Sequence, residues 1–210
     1  MFDYSGVITG TQTVQATVGS ITTFEGRSAR ELTATTTGTN TIAGRTVAID
    51  TQTRTYQNAA ANGEVTQYGA VVRATTPVAG FSVTSDSRTV FNPPWVDRRF
   101  TMTAGQTLTQ TYTGTTTVVS GGILGAPGTT TTSTTTLTQN IRFVGIESVT
   151  VPAGTFNACK FEDTDPASPG AVTTTWLAVN HGSIVKTVGT GPSGTQTIVA
   201  TSILINGAAP

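Results

Sequence analysis

Only one cysteine and one histidine occur in 210 residues, and charged side chains make up only 10% of the chain. A single thiol, Cys159, excludes an intrachain disulfide and is too few for a structural zinc site. Lys+Arg 11 balance Asp+Glu 11, and no basic run exceeds the Arg98-Arg99 pair. Nothing here would follow a phosphate backbone, so nucleic acid is not an expected partner. No apolar run approaches membrane-spanning length, and the opening MFDYSGVITG has neither a basic n-region nor an apolar h-region. A sustained 3.6-residue apolar period is also missing; GRSAREL is the best helical candidate, and it is too short.

Threonine is what the chain has in quantity, 49 of its 210 residues. Its β-branch suits a pleated, half-exposed strand surface, which points to an all-β fold. Residues 1–210 are expected to form one domain, large enough to bury roughly 70% of its extended surface. Val14, Ala16 and Val18 share a face, and Ile21 and Phe24 are re-phased after Gly19. ELTATTTGTNTIAGRTVAID suggests strand, turn at Gly38-Asn40, strand. Asn62-Gly63 is a hairpin signal because both residues accept positive φ, and Tyr56 and Tyr68 on either side are candidate cross-strand neighbours. Pro93-Pro94 donates nothing to a ladder, so 91–100 is expected to be a crossing segment. AGQTLTQTYTGTTTVV and TTTTSTTTLTQNIRF read as a long Thr-rich hairpin joined by a flexible loop at 121–128. Its threonines 107, 109, 111 and 113 lie opposite Leu108 and Tyr112, the alternation of a sheet wet on one face. About ten to twelve strands result, too many for a flat sheet, so a single curled antiparallel sheet, a half-barrel with little or no helix, is expected.

The centre of this pattern is FVGIESVTVPAGTFNACKFED. Pro152 suits the second position of a type I turn and Gly154 its last, between strands with Val149 and Val151 on one side and Phe156 and Ala158 on the other. Gly145 marks a bulge where the alternation slips. The run GIESVTVPAGTFNACKFE, followed by TTTWLAVNHGSIVK, resembles the C-terminal half of TapB-like bacterial envelope proteins, grouped with the LolA-like half-barrels. The matching residues are Gly145, Glu147, Val149, Val151 to Phe156, Trp176, Gly182, Val185 and Lys186. The chain departs from that pattern at Asn180 and His181, where a Pro-containing turn is usual. The resemblance covers about the last third of the chain, with fainter likeness in FNPPW and AGQTLTQTYT. It implies a curved antiparallel sheet with a lipophilic groove, and brings no catalytic residues with it.

Cys159 with His181 is the one thiol and imidazole combination, but Cys159 occupies a strand position where Val or Leu would fit. No G-x-S-x-G occurs. Glu162, Asp163 and Asp165 at a strand end are candidate calcium ligands, more simply read as solvated acids. T-x-T runs at 11–13, 51–55 and 107–113 recur too irregularly for a repeat-built threonine array. Phe81, Phe91, Trp95, Phe100, Tyr112 and Trp176 are the candidates for lining an apolar groove, against the simpler role of filling the core. The expectation is a non-enzymatic protein without a cofactor, in the periplasm or outer envelope of a bacterium, its signal sequence removed. It would bind a lipophilic molecule or lipidated partner in the concave face. The alternative is a structural or adhesive surface module with a packed sheet, and an enzyme comes third.

Overall fold

The computed structural model describes residues 1–78, 81–121 and 128–210. Its strands are β1 (Phe2–Gly6), β2 (Ile8–Phe24), β3 (Arg27–Ile42), β4 (Arg45–Ala59), β5 (Val65–Val78), β6 (Phe81–Asp97), β7 (Thr107–Ser120), β8 (Thr129–Val151), β9 (Gly154–Thr164), β10 (Val172–Ala178), β11 (Ile184–Gly191) and β12 (Gly194–Ala200), with one 3-10 turn at Arg99–Thr101. Each strand pairs antiparallel with its sequence neighbours, and β1 pairs with both β2 and β12. The sheet is therefore a closed twelve-stranded barrel, where a half-barrel was expected. Closure depends on FDYSG, a five-residue segment too short to carry a strand pattern of its own.

Closure is also incomplete along the strands. β1 meets β2 over three residue pairs, Phe2↔Gln12 to Tyr4↔Gly10. β9 meets β8 only from Asn140↔Thr164 onward. Seven long strands, β2 to β8, thus form a broad curved sheet, and the shorter β9 to β12 with β1 strap its two edges together over part of their length.

The inner face follows from the alternation on β7 and β8. Leu108, Gln110 and Tyr112 pair with Ile141, Gln139 and Leu137, while Thr109, Thr111, Thr113, Thr115 and Thr117 point outward opposite Asn140, Thr138, Thr136, Thr134 and Thr132. Each of the five outer rungs carries a side-chain hydrogen bond of 2.7–3.1 Å. The segment after β6 shows which side is enclosed. Phe100 packs edge-on to Phe161 of β9 (centroids 6.3 Å apart) and also lies against Gly63 in the β4–β5 turn, four strands away, so the connection crosses one end of the barrel. Beneath it Met102, Ile141, Phe161 and Leu177 form a buried cluster with Leu108, Phe143 and Cys159.

Two further clusters are centred on residues of the outer face, the first also taking in Ala200 at the end of β12, which shares the inner parity of Phe2 and Gln12. Val149, Val151, Ala158, Trp176, Ala178, Val185 and Ala200 pack together because the β8–β9 turn reaches over β10 and β11, with the Ala153 N–H donating to the Ala200 carbonyl at 3.1 Å. Phe24 stacks on Tyr56 (4.2 Å, 13°) above Gly69, with Ala29 beside them and the Arg88 guanidinium over the Phe24 ring.

Several local expectations are met. β8 and β9 are joined by Pro152 and Ala153 alone, the register slips between Phe143 and Gly145, the Thr-rich arms pair without a break, and a turn separates β4 from β5 around Asn62-Gly63. Tyr56 pairs with Gly69, so Tyr68 is the bulged residue next to it rather than its partner. Others are corrected. No turn falls at Gly38-Asn40: β3, which starts at Arg27 within the stretch too short for a helix, runs through to turn only at Ala43-Gly44. Gly38 has φ +151°, so it holds an irregular strand conformation without ending the strand. The expected crossing segment divides: 91–97 belongs to β6, while the connection proper begins at Arg98. Pro93 and Pro94 are accommodated because the β5–β6 ladder is interrupted between Gly69↔Val90 and Gln67↔Trp95, and the β6–β7 ladder stops at Phe91↔Gly114. The loop expected at 121–128 falls, except for its end residues, outside the described residues.

Gly154 has φ +136°, and a Cβ there would sit at ordinary distance, 3.6 Å, from the Phe156 ring. The cost of a side chain is then conformational: Gly154→Val is expected to lose about 1–3 kcal/mol, read from the midpoint of denaturant unfolding.

Candidate functional site

On the inner face of the long sheet the side chains are small. One row around the barrel runs Val18, Leu32, Thr55, Ala70, Thr89 and Thr116 by successive pairing. Several aliphatic residues of this face are not covered. Val14 is 39% exposed, Val18 66%, Ile21 62% and Leu137 41%, although all four are on the inner side of the sheet. The outer side of the same strands carries Asp50, Gln52 and Arg54 on β4 and the Arg73–Asp86 ion pair across β5 and β6 (2.8 Å). Exposed aliphatic side chains on the inner face and charged ones on the outer face thus share these strands.

Phe91, Trp95 and Tyr112 meet at one corner of this face. The Trp95 and Tyr112 rings lie 4.9 Å apart, and Phe91 stands edge-on to both. The bulge around Pro93-Pro94 makes the meeting possible, since it lets β6 swing Trp95 over the β7 residues. Trp95 Nε1 donates to Gln110 Oε1 at 3.3 Å. Gln110 is buried, and its Nε2 has no partner. Next to it Gln139 Nε2 donates to Asp163 Oδ1 at 3.0 Å, and Arg99 pairs with Asp97 at 2.8 Å between largely buried side chains. A cavity of about 290 Å³ opens here, lined by Tyr112, Leu137, Gln139, Asp163, Asp165 and Ser168 among others. A second, of about 210 Å³, lies near the β2–β3 turn against Arg27, Tyr68 and Asn92.

Burial raises the Asp163 carboxyl above the ordinary aspartate value of 3.8; Arg99 opposes the shift and Asp97 adds to it. A raised carboxyl binds its proton more tightly folded than unfolded, so stability falls as pH rises from the unfolded value through the folded one. Asp163→Asn keeps an acceptor for Gln139 and removes the charge. Its melting temperature is expected to exceed that of the parent at neutral pH, with the difference vanishing below about pH 3.8, where both states of the parent are protonated. Tyr112 is also raised, by burial first and then by Asp165.

The remaining candidates are scattered. Phe100 belongs to the end segment against Phe161, and the Phe81 side chain lies outside the described residues. Trp176 is on the outer face, held between Lys160 and Lys186 with its Nε1 donating to Glu147 Oε1 at 2.6 Å, so it packs the outer cluster and lines no groove with Trp95. The acids do not converge because adjacent strand residues face opposite ways. Glu162 pairs outward with Arg142, Asp163 turns inward to Gln139, and Asp165 is taken by the Ala167 N–H and the Ser168 hydroxyl. Among the described residues no three His, Cys, Asp or Glu stand together as a metal site would need.

Cys159 packs with the inner cluster, whereas His181 stands edge-on to Phe156 of the outer one, its Nδ1 accepting from the Ser183 N–H. Burial pushes the thiol up, away from the reactive thiolate. A thiol reagent is expected to label the native protein slowly and the unfolded protein fast; equal rates would contradict a packing role.

What sequence reasoning missed is Val14, Val18 and Ile21 as open inner residues, together with Gln110, Asp97 and Arg99. The alternation of Val14, Ala16 and Val18 is visible in the sequence. That they stay uncovered depends on what the fold places over this face, which local sequence does not show. No protein-family model, curated protein or solved structure matches this chain.

Proposed function

We propose that the protein is a non-enzymatic binder of a lipophilic molecule, or of the lipid group of a modified partner, on the inner face of its curved sheet. The observation that carries this is the open apolar set Val14, Val18, Ile21 and Leu137 inside a barrel whose outside is hydroxylated and charged. Burying roughly 300 Å² of an acyl chain against such a surface gives about 7 kcal/mol of transfer free energy before association costs, consistent with weak to moderate affinity. The aromatic corner at Trp95 and Tyr112 supplies a flat apolar wall, and the resemblance of the last third to LolA-like envelope proteins supports the same class of ligand and a bacterial envelope setting. Titration with a fluorescent fatty acid, following Trp95 emission in a Trp176→Phe background, tests it. Saturable binding with a change in Trp95 emission is expected, and its absence would remove the carrier.

The alternative, a structural or adhesive surface module, is favoured by one observation, the five hydroxyl-lined rungs of β7 and β8 on the outer face. That surface makes no demand on the inner face, so the two roles are separable by experiment.

A further inference from the structure

The long sheet has two edges that the strap leaves uncovered, and they differ in kind. On β2, residues 13–24 extend past the last β1 pair, Phe2↔Gln12. That edge is interrupted: the register shifts between Val18 and Ile21, and the Arg30 guanidinium covers the Gly19 carbonyl at 3.0 Å. A bulge with a charged side chain over it is a common guard against edge-to-edge pairing.

On β8, residues 129–139 extend past the last β9 pair, Asn140↔Thr164, and among the described residues no other strand pairs with them on that side. Among the described residues no strand, bulge or charged side chain guards this edge. The ladder to β7 runs from Ser120↔Thr129 to Thr107↔Arg142 without a shift, so no bulge interrupts the segment. Its sequence, TTTTSTTTLTQ, contains no charge, proline or glycine, and its residues are exposed as far as Leu137. Ordinary edge strands are short, charged, bulged or covered, and this one has none of those features.

We propose that this edge pairs with the same edge of a second copy, antiparallel about a two-fold axis through Thr134. Opposed residues of antiparallel strands share a face, so residue numbers must sum to an even value; a sum of 268 sets Thr132 opposite Thr136 and Thr130 opposite Thr138, with Thr134 opposite its own copy. The outer face then repeats the Thr–Thr rung that β8 already makes with β7, and the inner face sets Thr131 against Leu137 and Ser133 against Thr135. A charged segment would oppose such self-pairing, and this segment has no charge. The two-fold operation closes the assembly at two copies, whereas pairing of the β8 edge with the guarded β2 edge would build an open chain.

Sedimentation equilibrium of the full chain over a concentration series gives the first test. A twofold mass at the upper concentrations is expected, reverting to one chain in the doubly substituted Thr132→Lys, Thr136→Lys protein, in which like charges face each other across the axis. Circular dichroism of that variant should match the parent. Thr134→Cys in a Cys159→Ser background supplies an independent arm that does not depend on how the lysines are tolerated: it should cross-link to a dimer under mild oxidation, while Thr113→Cys on β7 should not. A parent that stays a single chain throughout, open-ended polymers, a dimer indifferent to the lysines, or equal cross-linking at the two positions would each overturn the proposal.

Discussion

Gly69→Val is expected to lower stability by at least about 3 kcal/mol, which for a chain of this size is a drop in melting temperature of roughly 6–12 °C. A Cβ at Gly69 would lie 2.2 Å from the Thr89 carbonyl oxygen and 2.6 Å from the Phe24 ring. The first contact is backbone and cannot swing away, and the second displaces the ring that stacks on Tyr56 and carries the Arg88 guanidinium. Both the ladder to β6 and the outer cluster above it must therefore shift. Thermal unfolding followed by far-UV circular dichroism measures the effect, and an unchanged transition would mean that β5 and β6 do not approach each other as described.

Phe161→Ala should cost a similar amount, about 3–5 kcal/mol, for a different reason. Phe161 is 1% exposed. It stacks on Phe143 at 4.9 Å, meets Phe100 edge-on, and lies under the Arg99 guanidinium at 6.0 Å. Truncation leaves a void that β8 and β9 cannot close without breaking their pairing. Because Phe100 and Arg99 lean on this ring, the end segment should loosen with it. Faster amide exchange at Thr101 to Gln106 than at the outer cluster would show the loss to be local to this end, and uniform exchange would argue that the ring supports the whole barrel.

Much of the architecture was legible in the sequence, through residues with simple local meanings. Thr109, Thr111 and Thr113 alternating with Leu108 and Tyr112 set the two faces of the long hairpin correctly, and Pro152 and Gly154 located the turn that joins β8 to β9. Glycine was a less certain guide. Gly145 marked a bulge as expected, but Gly38 with φ +151° sits inside a strand, because its neighbours on β2 and β4 keep the ladder running on both sides. Barrel closure was out of reach, since it depends on Phe2 to Gly6 pairing with a strand almost two hundred residues away.

The candidate site was partly legible for the same kind of reason. Phe91, Trp95 and Tyr112 stand out in sequence only as large aromatics, and the structure brings them together through the bulge at Pro93-Pro94. Trp176 stands out on the same grounds yet belongs to the opposite face, a parity that the irregularities at Gly145 and at Trp176/Leu177 hide from sequence reading. The open inner residues Val14, Val18 and Ile21 look like core positions in sequence. Their exposure is decided by what the fold places over that face and not by their own alternation.

The most direct test of lipid binding on the inner face is paramagnetic broadening of methyl resonances by a spin-labelled stearic acid. Val14, Val18, Ile21 and Leu137 should broaden as the ligand is added and recover when an unlabelled fatty acid displaces it, while Val119 on the outer side of β7, 48% exposed and so equally open to random collision, should not. Broadening of Val119 to the same degree as Val18, or no broadening of either, would contradict the account.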